Sequence, residues 1–277
     1  ATNVVDRPAM TIITPVSLDH QQFLGTTLAE IAGEKAGIIK RGVPCVVGPQ
    51  AEPALEVIEA KAARLGAPVL AYGQHWHVGS EHGRLVYQDD TGLLDLPPPN
   101  LPGAHQYMNA GAALTALRAL DLPEAAYEGA VTQIQWPARL QRLRHGPLID
   151  AAPQAELWLD GGHNPDAGAA IAAHLAGLPP RPTHLICGML NTKDTTGYLA
   201  PMAAQACALT AVSIPGELNT LPAEATADFA TTAGFDRVAT AESVEAAVAQ
   251  IIACDSQARI LICGSLYFAG HVMRENQ

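Results

Sequence analysis

The run Glu156-Leu157-Trp158-Leu159-Asp160-Gly161-Gly162-His163-Asn164-Pro165-Asp166 decides how the chain reads. Leu157 to Leu159 form a short apolar run, as in a buried strand, and Asp160 falls where that strand ends. Gly161 and Gly162 suit a sharp backbone turn and a close approach to a ligand. Asn164 fits a helix cap and Pro165 its first position, so an alanine-rich helix is expected over residues 167–178. In an open α/β sheet, ligands bind beyond the carboxyl ends of the strands, and Asp160 and His163 would be delivered to that edge. The alternative is a plain strand–helix corner in which both residues only cap.

Working outward, the rest of the second half repeats the pattern. Apolar strands are expected at 184–187, 209–214, 237–239 and 259–264, separated by helical stretches such as 242–253, where Val244, Val248 and Ile251 recur at helical spacing. Strand–helix alternation of this kind argues for a parallel sheet covered by helices, a Rossmann-like domain. Gln135-Trp136-Pro137 marks the boundary, giving domains 1–135 and 136–277. In the first domain, short strands are expected at 10–13, 44–48 and 68–72, and an amphipathic helix over 53–65. A hairpin is expected around Asp89-Asp90-Thr91-Gly92, and a helix of about 15 residues from His105. Thr27 and Glu30 have the spacing of a capping box, opening a helix that runs to about Ala36 with Gly37 near its end.

Composition narrows the function. The chain has 277 residues, 48% hydrophobic and 16% charged, enough to build a core. The net charge of −11, with no basic block, speaks against nucleic acid. Five scattered cysteines without C-x-x-C spacing suggest neither a zinc site nor a disulfide framework, and a reducing cytoplasm is the default. No apolar run is long enough to span a bilayer.

Other residues could carry chemistry. Lys35 shares a helical face with Leu28 and Ile31, and burial there would lower its pKa. A neutral amine can take up carbon dioxide, and the resulting carbamate could ligate magnesium. Otherwise Lys35 snorkels to solvent or pairs with Glu34. Asp19 and His20 could reach a metal or simply sit in solvent. Arg139 could hold a phosphate bidentately or form an interdomain salt bridge. Asn109 could read a nucleobase edge or be an ordinary helix residue. Lys193 and Ser265 follow two further strand ends, so with Asp160 and His163 three polar strand ends share one expected edge.

Seven segments occur in order: Ser17-Leu18-Asp19-His20 with Phe23-Leu24-Gly25; Glu34-Lys35-Ala36-Gly37-Ile38; Leu101-Pro102-Gly103 with His105-Gln106 and Asn109-Ala110; Trp136-Pro137-Ala138-Arg139-Leu140-Gln141; Leu159 to Pro165; Gly188-Met189-Leu190 with Lys193-Asp194; and Gly264-Ser265-Leu266-Tyr267. Together they resemble folylpolyglutamate synthase/dihydrofolate synthase of the Mur-ligase superfamily. The resemblance implies an α/β fold, the later part of a P-loop-type Mur-ligase central domain followed by a Rossmann-like C-terminal domain. It implies an ATP- and Mg2+-dependent ligase that joins L-glutamate to dihydropteroate and/or reduced folates through an acyl phosphate. The intact family member would be a cytoplasmic monomer acting on small molecules, with no nucleic acid or membrane partner. Residue by residue, His20 looks like the metal-ligand histidine and Lys35 like the carbamylated lysine. Asn109, Arg139 and Asp160 resemble ATP contacts, and His163 and Ser265 groups near the incoming glutamate.

One departure stands out. The family's glycine-rich P-loop ending in Gly-Lys-Ser or Gly-Lys-Thr is absent from these residues. Ala1-Thr2-Asn3-Val4-Val5-Asp6 reads as the middle of a domain, and the expectation is a chain lacking the upstream segment. Such a chain would be inactive or nearly so alone, and would leave a sheet edge open. A non-catalytic or split-enzyme binding module that needs a P-loop partner is the alternative, and a ligase for cell-wall or other peptide precursors a third.

Overall fold

The computed structural model describes residues 3–19 and 21–277. The chain divides into two compact units, one of residues 1–100 and 104–135, the other of residues 101–103 and 136–277.

In the first unit, β1 (Thr11–Ile13), α1 (Gln21–Leu24), α2 (Leu28–Lys35), β2 (Cys45–Val47), α3 (Glu52–Leu65) and β3 (Val69–Ala71) alternate along the chain. The three strands form a parallel sheet in that order. All three β2 residues are fully buried, because both faces of the central strand are covered. Cys45 and Val47 pack with Ile31, Ala32, Ile58 and Ala62 from α2 and α3, while Val46 joins a second cluster. The capping box at Thr27 and Glu30 forms as the sequence suggests. Helix α2 ends sooner than expected, with Gly37 inside a following 3-10 turn.

A separate antiparallel sheet follows: β4 (Trp76–Glu81), β5 (Arg84–Asp89) and β6 (Gly92–Leu96). Strand β4 was not expected. Its apolar alternation stops at Gly79, and only Trp76 and Val78 mark its buried face. Helix α4 (His105–Ala119) lies on that face at Gly111, where any Cβ would press on Trp76 and Val78. Helix α5 (Ala125–Thr132) completes the unit.

The second unit holds β7 (Gln141–Arg142), α6 (Pro147–Ala151), β8 (Glu156–Leu159), α7 (Pro165–Ala176), β9 (Thr183–Cys187), α8 (Thr195–Leu199) and β10 (Ala208–Ala211). Then come α9 (Ala223–Thr232), β11 (Val238–Thr240), α10 (Val244–Cys254), β12 (Arg259–Cys263) and α11 (Leu266–Glu275). Its six strands run in the order β11-β10-β9-β12-β8-β7, parallel except for β7. Side chains alternate between two cores. Leu157, Leu159, Ile260 and Ile262 face one core with α10 and α11, whereas Leu261, Cys263, Leu185 and Cys187 face the other with α7, α8 and α9.

The last strand, β12, is inserted between β8 and β9. The chain leaves β8 towards one face (α7) and leaves the neighbouring β12 towards the other (α11). Adjacent strands with diverging exits open a crevice beyond their carboxyl ends, which is where such sheets bind ligands. At the opposite ends, Glu156 accepts ion pairs from Arg142 (3.4 Å), Arg181 (2.9 Å) and Arg259 (3.1 Å), tying β7, β8, β12 and the approach to β9.

Helix α7 crosses close to α8 at Gly168, where a Cβ would run into the Tyr198 carbonyl oxygen. Alanine is better than glycine in a helix by about 1 kcal/mol. Overpacking against a backbone atom typically costs roughly 1–3 kcal/mol and should win. Gly168→Ala should therefore lower stability by about 1–2 kcal/mol in urea melts. Gly33→Ala on α2, whose Cβ would meet only Val57 Cγ1 at 3.9 Å, should raise it by up to about 1 kcal/mol. The reverse order would refute this account of α7 packing.

Candidate functional site

The site is built around the end of β8. Asp160 extends the ladder, its N–H donating to Ile262 O (2.9 Å), and its side chain is buried. One carboxylate oxygen accepts the backbone N–H of Leu140 (2.8 Å) and the other that of Gly162 (2.6 Å). Gly161 N–H donates to Ala138 O (2.9 Å), so residues 138–140 are strapped across the turn that leaves β8. Burial pushes the Asp160 carboxyl up, opposed by the two backbone amides and by the positive charge of Arg139 and His163.

The strap has unusual backbone. Ala138 (φ 55°) and Leu140 (φ 43°) both lie in the left-handed region, on either side of Arg139. Neither residue gains anything there locally. Arg139 itself is half-buried and makes no ion pair within 4 Å among the described residues. An unpaired guanidinium beside a buried carboxylate that is already hydrogen-bonded is suited to an incoming anion.

His163 follows the turn. Its Nδ1 lies 2.9 Å from Gly161 O, and a carbonyl only accepts, so Nδ1 carries the proton. In the neutral ring Nε2 is then left as an acceptor. Asn164 caps α7, its side chain accepting from Ala167 N–H (2.9 Å), with Pro165 in the first turn. The glycines serve differently from the expectation. Neither has positive φ, and what they provide is space: a Cβ at Gly161 would strike Leu266, and one at Gly162 would lie 2.8 Å from the Asp160 carboxylate.

On the neighbouring strand end, Gly264 takes φ +112° and Ser265 caps α11 by accepting from Tyr267 N–H (3.1 Å). Ser265 is buried at 2% exposure. Beside it a groove of ≈ 460 Å³ runs between α11 and residues 214–217, with Tyr267 and Arg274 among its walls. Asp194 caps α8 through Gly197 N–H (2.8 Å), and Lys193 before it is half-buried and partnered. The structure thus brings Arg139, Asp160 and His163 into one cluster, with Ser265 on the next strand.

The other candidates lie in the first unit. Asn109 is exposed on α4, its amide donating to Gln106 Oε1 (3.0 Å), and Gln106 in turn meets His105 (2.9 Å). Lys35 takes the solvent alternative: it ends α2 and is exposed, because the buried stripe of that helix is Ile31 and Ala32 continuing to Ala36. Asp19 is half-buried and partnered. His20 lies outside the described residues. Among the described residues no group of three or more His, Cys, Asp or Glu could hold a metal ion. Sequence reading assigned no role to Gln141, whose Oε1 accepts Ala138 N–H (2.9 Å) inside the strap. Its place as the last residue of the Trp136–Gln141 segment was the only signal, and left-handed Ala and Leu leave none.

Residues 141–266 match the Mur ligase, glutamate ligase domain family. The match spans most of the second unit, from β7 to the start of α11. Folylpolyglutamate synthase of Lacticaseibacillus casei is 32% identical over 98% of this chain and 63% of its own length. Dihydrofolate synthase/folylpolyglutamate synthase of Escherichia coli (strain K12) is 30% identical over 99% of this chain and 61% of its own. The structure of E. coli FolC in complex with DHPP and ADP superposes with a TM-score of 0.84 at 28% identity, covering 99% of this chain and 62% of that one. Over nearly all its residues the chain is a homologue of the folylpolyglutamate and dihydrofolate synthases, and it spans about three fifths of the length of these relatives.

Asp160→Asn tests which force governs the buried carboxylate. An asparagine offers one acceptor for two amides, a deficit of roughly 1–3 kcal/mol. Because the folded state raises the Asp160 pKa above its ordinary value of 3.8, the native state binds the proton more tightly. Its contribution to stability then falls as pH rises above that value. The stability deficit of Asp160→Asn should be largest near pH 4 and shrink towards pH 7 in paired denaturant melts. A deficit that grows with pH would show that the accepted hydrogen bonds outweigh burial.

Proposed function

We propose that this chain is part of an ATP-dependent ligase that adds L-glutamate to dihydropteroate and/or reduced folates, working in the cytoplasm. Homology across both units supports the reading, as does the relative whose complex holds DHPP and ADP. The observation that carries it is Arg139, unpaired and held on the strap at the carboxyl edge of the sheet. In this reading the substrate carboxylate is phosphorylated by ATP and the glutamate amine displaces the phosphate. Arg139 would meet phosphate oxygens as charge gathers on them, and Asn109 would meet the nucleotide base. Asp160 keeps Arg139 and His163 in register. The Nε2 of His163 is the acceptor placed to receive a proton from the glutamate amine, and Ser265 stands on the adjacent strand end to orient that substrate.

Magnesium is a different matter. By family resemblance His20, which lies outside the described residues, and a carbamylated Lys35 would hold the ion, which would offset charge on the phosphates. The buried free thiols Cys45, Cys187 and Cys263 suit a reducing compartment.

A second reading is a non-catalytic or split-enzyme binding module that needs a P-loop partner. One assay separates the two. ADP release is measured with Mg-ATP, glutamate, bicarbonate and either dihydropteroate or tetrahydrofolate, by the chain alone and with a P-loop-bearing polypeptide added. Turnover that needs both glutamate and the pterin is expected in the second arm, and Arg139→Ala should lower it by roughly 10²–10³. Pterin-independent ADP release, or none in either arm, would rule out the ligase.

A further inference from the structure

Arg139 stands between two residues that have no reason of their own to be left-handed. Four non-glycine residues with positive φ occur among those described, and two of them, Ala138 and Leu140, flank this one arginine. The other two, His82 and Asp121, sit in ordinary places, a hairpin turn and the end of α4. Conformations of this kind persist only where the surroundings over-determine them.

Three hydrogen bonds do so here. Leu140 N–H donates to the Asp160 carboxylate and Gly161 N–H to Ala138 O, which fix the strap to the strand end. The third spans the arginine: Ala138 N–H donates to Gln141 Oε1 (2.9 Å). Gln141 is itself a sheet residue, in register with Leu159 one position before Asp160. Its backbone therefore belongs to the sheet while its side chain closes the loop around Arg139.

We infer that Gln141 is a positioning residue: its side-chain amide sets the direction in which Arg139 is offered to the anion, without touching the ligand itself. The inference rests on the reading of Arg139 as a phosphate-side group. A purely structural Gln141 would stabilise the chain by satisfying one amide and leave Arg139 where it is.

Two measurements on the chain as it stands decide this. The first is amide hydrogen exchange at Ala138 and Leu140 without ligand, in the parent, Gln141→Leu and Gln141→Glu. Leucine keeps the β pairing but lacks the acceptor, and Gln141→Met replaces it if the leucine variant does not fold. Exchange should quicken roughly tenfold at both amides in Gln141→Leu, and return to within about twofold of the parent in Gln141→Glu, which keeps an acceptor oxygen. Unchanged exchange at Leu140 would overturn the inference.

The second is ADP titration of the same variants, of Arg139→Ala and of the double variant. Gln141→Leu should weaken ADP binding roughly fivefold to tenfold in the parent background and make no further difference once Arg139 is gone. An equal loss in both backgrounds would overturn the inference. If the parent alone does not bind ADP, the titration is repeated with the P-loop-bearing polypeptide added; no binding there either means that the nucleotide reading of the site fails, and the exchange at Leu140 alone then decides whether Gln141 holds the strap.

Discussion

The carboxylate of Asp160, accepting one backbone N–H on each oxygen, is the interaction on which the rest of the site depends. One oxygen holds Leu140 and so the strap that carries Arg139; the other holds Gly162 and so the turn that carries His163. The two halves are joined again through Gly161 N–H and Ala138 O. A buried charge is costly unless hydrogen-bonded, and here the compensating donors are main-chain groups whose own positions matter to function. Cation, carboxylate and imidazole are therefore fixed by one small network rather than by three separate side-chain conformations.

That network sits where it does because of strand order. With β12 between β8 and β9, the two glycine-bearing strand ends, Asp160-Gly161-Gly162 and Gly264-Ser265, become neighbours though more than a hundred residues apart in sequence. Their helices leave towards opposite cores, so the first turns of α7 and α11 begin side by side. A Cβ at Gly161 would press on the side chain of Leu266, which is exposed and would have to swing aside. The same close fit ties the capped start of α11 to the capped start of α7.

Much of the second unit was legible. Buried parallel strands write themselves as apolar runs, and β8, β9 and β12 all fall within one residue of the expected bounds. The three polar strand ends were visible for the same reason. What the sequence hid was conformation and space. Nothing in Ala138 or Leu140 announces a left-handed backbone, and Gly161 and Gly162 suggest turning when their service is to leave room for Leu266 and Asp160. In the first unit, the spacing of Lys35 from Leu28 and Ile31 left both a buried and a solvent position open; a helix of eight residues is too short for that spacing to fix a face, and Lys35 lies on the exposed side.

The acidity of the chain does not conflict with the anionic substrates proposed for it. The net charge of −11 sets a weak repulsive background, but at the site the sum is local. Asp160 contributes one negative charge that is already covered by two amide donors. Against it stand the Arg139 guanidinium and the amino ends of α7 and α11, each equivalent to about half a positive charge. Asp166 in the first turn of α7 offsets the helix ends, so the positive charge offered at the edge is that of Arg139 itself, while the acids elsewhere are spread over a surface screened beyond about 10 Å at 0.1 M salt. In the proposed reading, what an anion meets at this edge is therefore a matter of where the strap and the two helices begin, which strand order fixes, rather than of how many basic residues the chain contains.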